Sequence, residues 1–173
     1  DPLSSINYHL KGFVHYSQER FEEAIPLFQK SLALNTNSKV STLYIGQCYL
    51  LLGQLKEGLQ FYQSLPQDGS DDLTRAAGIA LALAYQGASE QAAGYATILE
   101  TSLQTDMMGR ALNLLVLCKM ALGAKEEALQ LIARGVNLRL PLLVYLNTEP
   151  MLKPLRKEQR FQDLMRQILG ETS

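Results

Sequence analysis

The stretch Phe21-Glu22-Glu23-Ala24-Ile25-Pro26-Leu27-Phe28-Gln29-Lys30-Ser31-Leu32-Ala33-Leu34-Asn35 decides how this chain folds. Its apolar residues Phe21, Ala24, Ile25, Phe28 and Leu32 recur at steps of three and four, which is one face of a helix. Glu22, Glu23, Gln29 and Lys30 fall on the other face. Asn35-Thr36-Asn37-Ser38 is turn chemistry, and Ser38 is placed to cap the next helix by accepting from its unpaired N–H groups. Upstream, Ser4 to Ser17 reads as a second amphipathic helix. The two together make a helical hairpin.

Outward from this unit, the same pattern repeats. Gly12 is echoed by Gly46 and Ala80 at intervals of 34 residues, and Ala24 by Gly58 and Ala92 at the same interval. Val116 and Ala128 follow after 36. Small residues at these places let the two helices of a hairpin approach closely, while Phe28, Tyr62 and Ile132 fill space toward the next hairpin and Ala96 fills it less. Gly53, Gly87 and Gly123 hold equivalent turns, where a left-handed backbone favours glycine. The second unit runs Ser38–Leu52 and Leu55–Leu65, and the third from Asp71 or Asp72 to Gln86 and Ser89–Leu103. The fourth runs Asp106–Leu122 and Ala124–Leu138. Asp71 or Asp72 is a suitable N-cap, which is also the reading given to Gly69-Ser70-Asp71-Asp72 in place of a metal loop.

These residues resemble the tetratricopeptide repeat family, whose period is also about 34. The likeness is carried by Tyr8, Gly12, Ala24, Phe28 and Ser31-Leu32-Ala33-Leu34-Asn35, then by Gly46, Tyr49, Gly53 and Tyr62. It continues through Ala80, Gly87 and Ala92 and through Gly123, Glu127, Ala128 and Leu129. The family's tryptophan is absent, its helix-ending proline is Thr36, and Gly58 stands for the usual alanine. The resemblance implies an all-α, right-handed α-solenoid of about four helix-turn-helix repeats with a C-terminal capping helix. The repeats divide as 4–37, 38–70, 71–105 and 106–140, with 141–173 as a cap in the same domain.

Beyond Leu140 the pattern stops. Pro141 opens the apolar run Leu142-Leu143-Val144-Tyr145-Leu146, Pro150 and Pro154 impose turns, and a final helix is expected from Lys157 to Leu169. Residues 150–164 are similar to a tail that follows repeats in bacterial signalling proteins. With Asp1-Pro2 at the start, the chain reads as a piece of a longer, bacterial, cytoplasmic regulatory protein. Lys153, Arg156, Lys157, Arg160 and Arg166 read as the solvated face of the cap.

Bulk properties narrow the function. The 173 residues carry a net charge of −1, with 47% hydrophobic and 19% charged. That is a globular composition without the basic field that nucleic acid or anionic membrane requires. No apolar run approaches the ~20 residues that span a bilayer. Cys48 and Cys118 each lie in an apolar helical stretch and read as buried free thiols in a reducing compartment. With His9 and His15 they do not make a zinc pattern. No nucleophile elbow or phosphate loop is present. Glu22-Glu23 and Glu126-Glu127 are neighbours that point about 100° apart on a helix, so neither pair converges on a substrate atom. The expectation is a non-enzyme with no cofactor and no metal.

The family's geometry implies a concave face lined by the first helix of each hairpin. Here that lining is Ile6, His9, Phe13, Tyr16 and Ser17, then Val40, Leu43, Gln47, Leu50 and Leu51. It continues with Thr74, Ala77, Leu81, Ala84 and Tyr85, then Arg110, Asn113, Leu117, Met120 and Ala121. The peptide-binding set is His9, Phe13, Tyr16, Gln47, Leu50, Leu81, Tyr85, Arg110, Asn113 and Met120. A subgroup of the family clamps chaperone carboxylates with Lys, Asn and Arg. The matching positions here are His9, Phe13, Tyr44, Thr74 and Gly78, which lack those donors. The expected partner is therefore an apolar peptide or amphipathic helix. Phe13, Tyr16 and Tyr85 are expected to be exposed, and Leu43, Leu50 and Leu117 to serve the core. Two further readings stand beside this: a self-association module that dimerises an attached catalytic or DNA-binding domain, and a groove filled by the chain's own Leu142–Leu146.

Overall fold

The computed structural model describes residues 2–66 and 72–170. They form an all-α solenoid in which helices alternate as hairpins: α1 (Pro2–Ser17) with α2 (Phe21–Leu34), α3 (Lys39–Leu51) with α4 (Leu55–Gln63), α5 (Asp72–Tyr85) with α6 (Ser89–Ser102), and α7 (Arg110–Ala121) with α8 (Lys125–Asn137). Two 3-10 segments follow, Pro141–Asn147 and Pro150–Leu155, and α9 (Gln159–Leu169) packs on α8 and the first of them. Gly69, Ser70 and Asp71, read above as a cap, lie outside the described residues.

Small residues set the helix spacing. A Cβ on Gly12 would stand 2.8 Å from the Phe28 ring, and one on Gly46 would stand 2.1 Å from Tyr62. Phe28 then stacks on Tyr44 of the next hairpin, with ring centroids 5.3 Å apart. The turns share one geometry. Gly53 (φ 75°), Gly87 (82°) and Gly123 (76°) all lie in the left-handed region. Each is followed by a residue whose N–H reaches five residues back, as in Gln54 to the Tyr49 carbonyl. The first hairpin makes the same turn with Glu19 at φ 61°, an L-residue in a place glycine takes elsewhere, so only the bond pattern of Arg20 N–H to His15 O reveals the equivalence.

Two expectations about helix starts are corrected. Ser38 makes no capping hydrogen bond; its hydroxyl turns instead to Ser41 Oγ at 3.0 Å, joining a polar chain with buried Ser31. The helix expected from Asp106 begins at Arg110. Asp106 stays outside it, where its carboxylate accepts from the N–H groups of Gly109, Arg110 and Leu112. Those are the orphan donors of a helix start, and the negative charge also suits the helix dipole.

The core divides in two. One cluster joins Tyr16, Phe21, Ala24, Phe28, Tyr44, Ile45 and Cys48. The larger one runs from Leu50 to Met165 and includes the tail residues Leu143, Leu146, Leu152 and Leu155. Leu143 is 1% exposed and lies over Gly135 of α8, where an added Cβ would meet it at 2.8 Å. The tail is thus fixed to the C-terminal half. Ion pairs join it to the repeats: its Arg160 reaches Glu126 at 2.5 Å and its Lys153 reaches Glu19 at 2.8 Å, while its Glu158 receives Lys125 of α8 at 2.6 Å. These exposed pairs orient the tail and, screened by solvent, add little to its stability.

Candidate functional site

Alternation of hairpins puts α1, α3 and α7 along one side of the stack, and the first 3-10 segment crosses in front of α7. Between them lies a pocket of about 280 Å³. Its apolar wall comes from Leu10, Phe13, Val40, Leu43, Leu114, Leu117, Leu142 and Leu146, and its polar groups are His9, Lys39, Gln47, Arg110, Asn113 and Glu149, with Tyr44 and Tyr145 between. Asn113 holds the tail in place by donating from Nδ2 to the Leu142 carbonyl at 2.7 Å. Arg110 donates to the Thr74 hydroxyl.

Five of the ten residues expected to bind peptide come together here: His9, Phe13, Gln47, Arg110 and Asn113. The others do not. Tyr16, expected to be exposed, is 0% exposed, as is Leu81, and Leu50 is 2% exposed. Their side chains point between neighbouring helices rather than outward, because the packing of adjacent first helices claims part of each helix face. Met120 is half-buried against the larger core. Tyr85 is 39% exposed but lines a separate shallow hollow with Leu51, Pro150 and Lys153. Leu10, Lys39, Leu114 and Glu149 also line the pocket, beyond the residues that the sequence marks, as do Leu142, Tyr145 and Leu146 of the apolar run expected to reach the groove. Nothing local in the sequence marks Glu149.

Glu149 is the least expected member. It is 6% exposed, and one carboxylate oxygen lies 2.5 Å from Tyr16 Oη and 3.1 Å from the Met151 N–H. Burial pushes this carboxyl up to about 7, against the lowering effect of those hydrogen bonds and of Arg156. Tyr16 Oη also lies 3.3 Å from Gln47 Oε1. A tyrosine has one proton to donate. The shorter contact is the one to Glu149, so Tyr16 donates there, with Gln47 Oε1 as the more distant acceptor.

Two other features bear on chemistry. His9 Nδ1 lies 3.0 Å from Ser41 Oγ, the spacing of a base and a hydroxyl nucleophile. Ser41 is 0% exposed and also bonded to Ser31 and Ser38, so substrate has no approach to it. Burial lowers the His9 imidazole from its usual range. Cys48 and Cys118 are free and buried, and burial pushes both thiols up to about 12. No helix among the described residues is long and apolar enough to cross a membrane.

The family model described as tetratricopeptide repeat matches residues 15–83, from the end of α1 into α5. This supports a tetratricopeptide-type repeat protein, a class that generally mediates protein–protein interaction and is typically a non-catalytic scaffold. Among curated proteins and among solved structures, nothing matches.

Proposed function

We propose that this chain docks an apolar peptide or amphipathic helix of a partner protein by seating its anchor side chains in the concave pocket between α1, α3, α7 and the tail. The observation that carries this reading is the pocket wall: eight aliphatic or phenylalanine side chains surround a space that opens to solvent beside polar groups. A site of that kind pairs an apolar anchor with a few orienting hydrogen bonds. Gln47 Nε2 and Asn113 Oδ1 are buried without a hydrogen-bond partner, and a docked main chain supplies both a carbonyl and an N–H. The binding set becomes His9, Leu10, Phe13, Val40, Leu43, Gln47, Asn113 and Leu117. A cytoplasmic, bacterial regulatory protein of greater length is the setting we infer, on the resemblance of residues 150–164 to tails of that kind.

A peptide library displayed on phage and panned against the protein tests the docking. Selected sequences should share aromatic or leucine anchors and lose binding at least tenfold to Val40→Asp, which alters an exposed pocket residue. Selection of no sequences, or of sequences indifferent to Val40→Asp and Leu43→Asp, overturns the reading.

A second reading rests on a surface that shares only Leu10 with the pocket. Leu3, Ile6, Leu10 and Val14 are 70%, 53%, 54% and 50% exposed on α1, and their spacing puts them along one stripe. A contiguous exposed apolar stripe favours association, here of two copies through α1. Light scattering separates the two: a monomer at all concentrations removes self-association and leaves peptide docking standing.

A further inference from the structure

In a solenoid each repeat contacts its neighbours, and stacking does not require the ends to meet. Here they meet. Tyr16, in the first hairpin, touches Glu149, 133 positions further along the chain. Beside that contact Lys153 pairs with Glu19, and Phe13 meets Tyr145 edge to face with ring centroids 5.7 Å apart. The two sides of this junction belong to different cores: Tyr16 to the N-terminal cluster and the flanking residues Leu146 and Met151 to the larger one. The same junction forms one end of the concave pocket, since Phe13, Tyr145 and Glu149 all line it.

We propose that the first hairpin and the tail are two jaws closed over the concave site, that Glu149 on Tyr16 is their clasp, and that releasing it opens the site to a docking segment. This rests on the docking reading above for what enters, but the opening itself is a property of the chain alone. Closed, the pocket of about 280 Å³ has room for anchor side chains and not for the ~10 Å girth of a whole helix. The contacts of the first 3-10 segment with α7 and α8 do not cross the junction, whereas the buried Tyr16–Glu149 hydrogen bond, the exposed Lys153–Glu19 pair and the Phe13–Tyr145 edge contact do.

The clasp also senses protons. Its titratable surroundings are Tyr16 on α1, Tyr44 and Cys48 on α3, Tyr62 on α4, Tyr85 on α5 and Arg156 beyond the second 3-10 segment. The tyrosines and the thiol are all pushed up and stay neutral. Arg156 is the cation of this group, and it donates to the Glu149 main-chain carbonyl at 3.3 Å. Because the closed state holds the Glu149 carboxyl up at about 7, it binds more protons than the open state between the ordinary carboxylate range and that value. Closure is therefore strongest in acid and weakens as pH rises toward 7, by a factor on the order of a hundred.

Spin labels on cysteines introduced at Asn7 and Val144, one on each jaw, read the distance between the jaws without any partner. Wild type should show one short distance at pH 5 and an added longer population at pH 8. Glu149→Gln should stay short at both, since its amide keeps the hydrogen bonds without the charge. Glu149→Ala should show the longer population at both. A Glu149→Ala jaw distance identical to wild type at both pH values overturns the clasp. If Glu149→Ala loses its helical circular dichroism, Tyr16→Phe takes its place, with the same two outcomes. Peptides from the display selection should bind Glu149→Ala at least fivefold faster. Absence of any peptide removes the docking reading and leaves the distance result to decide the clasp.

Discussion

The ring of Tyr62 on α4 lies so close over Gly78 on α5 that a Cβ at residue 78 would stand 2.0 Å from Tyr62 Cδ1. Gly46 of α3 faces the same ring from its own hairpin, where an added Cβ would stand 2.1 Å from it, and Tyr62 Oη donates to the Leu43 carbonyl at 2.8 Å. One side chain thus locks three helices. Its ring has no far, flexible end to yield, so Gly78→Ala should destabilise by about 1–3 kcal/mol or more as an overpacking change. Gly94, in α6, has open space where its Cβ would be; Gly94→Ala should stabilise by about 0.5–1 kcal/mol. Urea unfolding of the two variants measures both signs.

Glu19 adopts the left-handed backbone that glycine takes in the other three hairpin turns. A non-glycine residue there costs about 1–2 kcal/mol, against which its exposed pair with Lys153 returns less. Glu19→Gly should raise the unfolding midpoint and Glu19→Ala should not. Thermal melts that rank the two the other way would show that the turn is not strained.

Tyr16 and Tyr85 looked alike in the sequence and differ in the fold. Tyr16 is wholly buried and sits 4.7 Å, centroid to centroid, from Tyr44. Tyr16→Ala should cost about 3–5 kcal/mol, as large aromatic truncations do. Tyr85→Ala should change stability by less than about 1 kcal/mol, being 39% exposed and near the surface range. Equal losses in the two variants, read by denaturant titration, contradict this assignment.

The thiols of Cys48 and Cys118 are buried and pushed up to about 12. The thiolate is the reactive form, so native protein at pH 8 should react with an aromatic disulfide reagent at least a hundredfold more slowly than protein in guanidinium. Fast native labelling of either would show that its helix opens.

Glu149 ties stability to pH. Its carboxyl is raised to about 7 from the ordinary 4.5, so the folded state takes up a proton that the unfolded state releases. That contribution is whole below about 4.5, declines as pH rises, and is gone above 7, a loss of up to about 3 kcal/mol. Glu149→Gln should flatten this part of the profile. A wild-type profile parallel to that of the variant from pH 4 to 8 refutes the coupling.

The sequence by itself determined the repeat. The spacing of Gly12, Gly46 and Ala80, the apolar face of residues 21–35 and the glycine turns are local or periodic features, and helices and short turns are governed by neighbours three to five residues away. The bounds of α2 follow from that alone. The same local reading put Asp106 inside a helix and gave Ser38 a capping bond, because whether a short polar side chain caps, extends or leaves a helix depends on what else competes for its oxygen. Half of the candidate site was legible, since His9, Phe13, Gln47, Arg110 and Asn113 inherit their direction from helix periodicity. The tertiary structure decided the rest. Tyr16, Leu50 and Leu81 share that periodicity and are buried, because the packing of neighbouring first helices covers part of every face. Glu149 carries no local signal, and its place is set by a meeting of chain ends 133 residues apart. Contacts between neighbours are written in a repeat's period; a contact between the ends depends on the curvature summed over every hairpin, which no single stretch of sequence encodes.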